Sequence, residues 1–149
     1  MLRVIKGLIP HAVKKNFVRL KNKLFDGHAI KSYSQEGEDL VLARIFENLK
    51  ITTGFFVDIG AHHPTRFSNT YYFYRRGWRG INVDALPGTR KLFERMRSRD
   101  ITIECGVGAQ QGLLKYFAFN EPALNTFSEQ EANKKNLHPY HIVDTLEIP

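Results

Sequence analysis

Three short apolar runs, each with an acid at or near its end, limit what this chain can fold into. Gly54 precedes Phe55, Phe56, Val57, Asp58 and Ile59, a nearly continuous apolar stretch of the kind expected for a strand buried on both faces. Ile81, Asn82, Val83 and Asp84 form the second run, and Ile101, Thr102, Ile103, Glu104 and Cys105 the third. Asp58, Asp84 and Glu104 stand 26 and 20 residues apart, which leaves room for one crossover helix in each interval. The first falls on residues 69–76. The second opens at Pro87 and Thr89, buries Leu92, Phe93 and Met96, and turns Arg90, Lys91, Arg95, Arg97 and Arg99 to water. The resulting βαβαβ order predicts a right-handed, parallel α/β unit.

Acids at Glu36, Glu38 and Asp39 suit the positive end of a helix, and Leu42, Ile45, Phe46 and Leu49 give it a buried face, so a helix is expected over 35–50. Beyond Gly106 the pattern becomes β-rich. Leu113 to Phe119 reads as a strand with Asn125–Phe127 as its candidate partner, Glu129–Lys135 as a short polar helix, and Ile142, Val143, Leu146 and Ile148 as a further strand. Tyr71, Tyr72, Phe73, Tyr74 and Trp78 are expected to be core of the first crossover rather than a stacking surface.

Charge separates an arm from this unit. Residues 1–31 hold eight of the 22 Lys and Arg and a single acid, Asp26, and the remainder balances 14 basic against 14 acidic residues. Leu2, Ile5, Ile9, Val13, Phe17, Leu20 and Leu24 recur at steps of three or four, one stripe of a helix expected to run from Pro10 to about Phe25. Two domains are therefore expected, a basic amphipathic arm over 1–31 and an α/β domain over 32–149. The one cysteine, Cys105, fits a reducing compartment, and there is no apolar run of about 18 residues. The expected location is cytoplasmic, with the inner face of the membrane within reach of the arm.

In a parallel sheet, ligands bind at the carboxyl ends of the strands. Gly60 would let a bound group approach the backbone, the amides after it could meet an anion, Asp58 could accept from an ammonium, and Asp84 stands where an acid takes the hydroxyls of a ribose. Gly60 is followed by Ala61, His62, His63, Pro64, Thr65 and Arg66, so the second and third glycines of a dinucleotide loop are absent, as is any G-K-S or G-K-T. An adenosine ligand with a small zwitterionic end fits what is left, namely S-adenosylmethionine. The competing reading is a structural turn with a capping aspartate. His62 and His63 are the nearest candidates for a base, against a role as turn histidines bonded to backbone. As a metal pair they are poor, because adjacent side chains diverge.

Five blocks in order carry a resemblance: YSQEGEDLVL (33–42), GFFVDIGAHHP (54–64), SNTYYFYRRGWRGINVDALP (68–87), FERMRSRD (93–100) and ALNTFSE (123–129). Together they resemble the FkbM-family methyltransferases, which use S-adenosylmethionine on a seven-stranded Rossmann-like sheet and often methylate hydroxyls of sugars or other natural products. The resemblance implies that Asp58, Gly60, Ala61 and His62 form the first cofactor motif. Asp84 would hold the ribose, with Ala85 beside the adenine and Cys105 lining it. Gln35, Glu38 and Asn69 would stand near the methionine end. No catalytic residue is implied, and neither a metal nor a nucleic acid is expected.

Members of that family continue into a fourth strand with a K-I-D-V-E-G-like motif, which this sequence lacks. The expected fold is thus a Rossmann-like class I methyltransferase sheet truncated after three parallel strands and a β-rich insertion, a cofactor-binding portion whose own activity the resemblance does not fix. Its first strand would be an open edge, prone to association, with weak cofactor binding. The rival function is a non-enzymatic α/β module whose basic arm docks on an anionic membrane or an acidic partner.

Overall fold

The computed structural model describes residues 16, 17, 20 and 29–149. The chain divides into two units, Met1–Lys31 and Ser32–Pro149. Asn16, Phe17 and Leu20 are helical with exposed side chains, and the rest of the expected arm helix lies outside the described residues. Among the described residues, no helix is long and apolar enough to cross a membrane.

The second unit opens with helix α1, Glu38–Asn48, entered through Gly37 in the left-handed region. Its start is organised by Asp39, which is fully buried. That carboxylate accepts from Ser32 Oγ (2.7 Å), Tyr33 N (2.7 Å), Ser34 Oγ (2.9 Å) and Leu40 N (2.9 Å). Burial pushes the Asp39 carboxyl up, but these hydrogen bonds outweigh it and hold the group below the usual carboxylate range. The incoming chain is thereby pinned to the helix.

Strands β1 (Phe55–Ile59), β2 (Arg79–Asp84) and β3 (Ile101–Glu104) form a parallel sheet in the order β1-β2-β3. Val57 stands opposite Ile81, and Ile81 opposite Ile101. Two crossover helices join them, α2 (Tyr71–Tyr74) and α3 (Thr89–Met96). The single turn of α2 is shorter than the 69–76 helix expected. Ser68 and Thr70 turn their side chains to Tyr71 N, Asp58 and Arg97 instead, and Gly77 at φ 96° ends the segment. Tyr72, Phe73 and Trp78 are buried with Ala43 of α1, and Phe46 and Phe56 pack on them; of the five aromatic residues expected in this core, Tyr71 and Tyr74 are only half-buried.

On the other face of the sheet, Val83 of β2 is buried, but the residues of the flanking strands are exposed. Phe55, Val57 and Ile59 are 58%, 60% and 63% exposed, and Ile101 and Ile103 of β3 are exposed as well. The strand expected to be buried on both faces is covered on one only, and among the described residues β1 has β2 as its sole neighbour.

Arg97 departs furthest from expectation. Read as part of a solvated arginine face, it is 0% exposed. Its Nε donates to Asp100 Oδ2 at 2.7 Å, while Nη2 lies as close to that oxygen without a directed hydrogen bond. Its Nη1 donates to Thr70 Oγ1 (3.1 Å), Ser68 Oγ (3.3 Å) and Pro64 O (3.4 Å). The rings of Phe56, Tyr74 and Phe93 surround the guanidinium at 5.1–5.3 Å. The arginine caps no surface; the last residues of α3 turn it inward because Asp100 waits there at the entry to β3.

Strands β4 (Leu114–Phe119) and β5 (Ile142–Ile148) pair antiparallel, with an irregularity at Ala118/Phe119. Asn125–Phe127, expected to partner β4, contributes one bridge, Phe117 with Thr126. The Asn125 side chain stands in for the next rung, accepting from Phe119 N at 2.8 Å. Helix α4 spans Glu129–Lys135 as expected, capped by Ser128 Oγ accepting from Glu131 N. Phe117, Phe119 and Ala132 form a second core with Leu124 and Ile142.

Candidate cofactor cleft

A cleft of about 530 Å³ lies at the carboxyl ends of the three parallel strands. One set of lining residues comes from those ends, Ile59–Gly60, Val83–Leu86 and Cys105, joined by His62. The other comes from Tyr116 of β4, from Pro122 and Ala123, and from residues 125–128. Of the predicted site residues, Gly60, His62, Asp84, Ala85 and Cys105 meet in this cleft, whereas Asp58, Ala61 and Asn69 do not line it. Gln35, Glu38 and Asn69 are exposed residues elsewhere on the unit, and Glu38 Oε2 accepts from Glu36 N.

The loop after β1 does not offer the anion cradle expected of it. Gly60 N and Ala61 N both donate to Val83 O, at 2.9 and 3.0 Å, and His63 N donates to Ala61 O. His62 N donates to Asp84 Oδ2 at 2.7 Å. Thr65 N and Arg66 N both donate to His63 Nδ1 at 3.1 Å. Every one of these amides is engaged within the fold, since Gly60 and His62, with φ of 75° and 56°, fold the loop back on the end of β2. What Gly60 supplies is space: a side chain there would meet nothing within 4 Å.

Asp84 is buried, and each of its oxygens accepts one amide, Oδ2 from His62 and Oδ1 from Leu86 at 2.9 Å. A carboxylate has about four lone-pair sites, so each oxygen retains capacity for a further donor. Asp58 faces the covered side of the sheet and accepts from Thr70 Oγ1 at 2.7 Å. Burial raises its carboxyl above the usual range, against the pull of Thr70 and Arg97.

The two histidines divide. His63 Nδ1 is taken by the loop amides, the turn role weighed for it. His62 lines the cleft, with Nε2 at 3.4 Å from Arg66 Nη1 and its ring stacked near Phe67. Burial, then the Arg66 charge, lowers the His62 imidazole below its ordinary value and keeps it neutral near pH 7.

Sequence reasoning left the second side of the cleft unassigned. Arg66 and Glu121 form a two-pronged ion pair, 2.9 Å at each prong, joining the loop after β1 to the turn after β4. Tyr116 is buried against Phe127, ring centroids 4.8 Å apart. Burial pushes its hydroxyl up to about 12, with Asn125 acting against that and the Asp84 charge adding to it. The ALNTFSE block was the available signal, but nothing in its spacing assigns it to a cleft.

Residues 58–149 match the family model of the methyltransferase FkbM domain. The chain belongs to the FkbM methyltransferase family. No curated protein and no solved structure gives a significant match. FkbM methyltransferases depend on S-adenosylmethionine. In this FkbM domain the cleft suits an adenosine moiety in three respects: a partly engaged buried carboxylate at Asp84, open space at Gly60, and an aromatic side at Tyr116 and Phe127. The rival reading, docking through the basic arm, falls on residues largely outside the described ones.

Proposed function

We propose that the cleft binds S-adenosylmethionine and that the domain serves methyl transfer to a hydroxyl of a sugar or other small natural product. The observation that carries this reading is Asp84: a buried carboxylate with lone pairs to spare, lining a cleft of about 530 Å³ at the strand ends. When bound, the cofactor supplies an electrophilic methyl group on a sulfonium centre.

Asp84 accepts from the ribose hydroxyls while the His62 and Leu86 amides hold its carboxylate in place. Ala85 and Cys105 lie along the nucleoside, and Gly60 leaves the loop open to it. Asp58 works one layer back, tethering Thr70, and through it Arg97, beneath the loop; Ala61 anchors the loop to β2, and Asn69 stays at the exposed end of the same segment. His62 is the group that would hold the acceptor's proton, because its lowered pKa leaves the ring neutral and able to accept. The loop amides are committed elsewhere, so side chains must recognise the amino-acid end.

Calorimetry of the full chain with S-adenosylhomocysteine is the test. Binding in the wild type and its loss in Asp84→Ala, with cooperative unfolding retained, is expected. Transfer of radiolabelled methyl from the cofactor to a hydroxyl acceptor, reduced in His62→Gln, tests the second half. No heat with the wild type at millimolar ligand would overturn the reading.

A further inference from the structure

Half of the cleft comes from a part of the chain that the strand-end logic does not reach. Tyr116 stands on β4 with its neighbours Phe117 and Phe119 turned into the second core, so Tyr116 faces the opposite side, where it lines the cleft. Phe127 is set beside it by the Phe117–Thr126 bridge, whose two hydrogen bonds measure 2.9 and 3.2 Å. Asn125 is fixed by the Phe119 amide. The Phe127 ring also closes on the end of β3, because Gly106 has no side chain: a Cβ there would lie 3.0 Å from the ring tip. A rigid aromatic pair is thus held across the cleft from Asp84–Leu86.

We infer that Phe127 and Tyr116 form the second half of a nucleoside site, Phe127 stacking on the purine and the Tyr116 hydroxyl donating a hydrogen bond to the bound adenosine. This rests on the proposed cofactor binding and adds the residues that read the base. An aromatic face is sequence-tolerant toward a purine and strongest where water is excluded, and both rings here are largely shielded from solvent. Burial keeps the Tyr116 hydroxyl protonated throughout the working pH range, so it acts as a donor and never as a base. Both aromatic residues hold the nucleoside and take no part in the methyl transfer itself.

The test is equilibrium binding of S-adenosylhomocysteine and of 5′-deoxy-5′-methylthioadenosine, which lacks the amino-acid end, to the full chain. Phe127→Leu should weaken both ligands about tenfold, Phe127→His, which keeps an aromatic face and adds no atom at the ring tip beside Gly106, should keep most of the affinity, and Tyr116→Phe should cost about fivefold, each with cooperative unfolding retained. Binding kept by His but not by Leu separates stacking from mere filling of space. In the wild type, a nuclear Overhauser contact between the adenine protons and the Phe127 ring gives the same answer without a variant. If the wild type binds S-adenosylhomocysteine but the adenine shows no such contact, or Phe127→Leu and Tyr116→Phe bind within twofold of wild type, the aromatic site is wrong while the cofactor reading stands. If the wild type binds neither ligand, both fall together.

Discussion

Replacing Arg97 with Met removes the charge at the centre of the domain while keeping most of the side chain's volume. In the native protein the guanidinium reaches Asp100, Thr70, Ser68 and Pro64, and the side chains of both Arg97 and Asp100 are 0% exposed. Without the cation, Asp100 remains a buried carboxylate that still accepts from Gly80 N and Asn82 Nδ2 but has no counter-charge. Breaking a buried pair from one side costs about 3–5 kcal/mol, against a stability of about 5–15 kcal/mol for a domain. At roughly 4 °C per kcal/mol the melting temperature should fall by about 12–20 °C. Urea unfolding followed by far-ultraviolet circular dichroism measures the free energy, and a thermal scan of the same signal the melting temperature. Arg97→Met with Asp100→Asn should be less destabilised than Arg97→Met alone, because the stranded charge has gone. A loss under about 1 kcal/mol in Arg97→Met would mean that the arginine is solvated after all, and the buried network would be refuted.

Asp39→Asn should cost about 2 kcal/mol, from hydrogen bonds to a charged acceptor. Because the folded carboxyl sits below its unfolded value of 3.8, its contribution is complete above that pH and is lost as the pH falls toward the folded pKa, so the acid limb of a stability profile should flatten in the variant. Gly60→Ala forces a side chain into a left-handed position at φ 75° but into open space; unfolding experiments should show about 1–2 kcal/mol lost with the fold intact. Val57→Lys places a charge on the exposed side of β1, and sedimentation at tens of micromolar should show the wild type associating and the variant shifted toward monomer. A monodisperse wild-type monomer would contradict that last expectation.

The parallel unit was legible because each of its strands is a dense local signal. Phe55–Ile59 was bounded correctly by its own apolar run after Gly54, and Glu129–Lys135, read as a short polar helix, has the bounds expected of it. Arg97 was misread because a run of Arg, Met, Arg, Ser, Arg, Asp looks solvated, and only tertiary contact brings Asp100, Thr70 and three rings around the middle arginine. The free amides predicted after Gly60 were absent for a related reason: a loop with two left-handed residues closes on β2, and no local pattern reports that closure. The residues lining the cleft opposite Asp84 come from a segment whose placement depends on one bridge and one asparagine side chain. Periodicity finds elements; it does not find which side chains meet across a cleft.

The central claim is that Asp84 grips a ribose in this cleft. A crystal structure of the full chain soaked or grown with S-adenosylhomocysteine tests it most directly. Both ribose hydroxyls should lie within hydrogen-bond distance of the Asp84 carboxylate, with the His62 and Leu86 amides still bonded to it. Density for the nucleoside away from Asp84, or a cleft left empty at millimolar ligand, would contradict it.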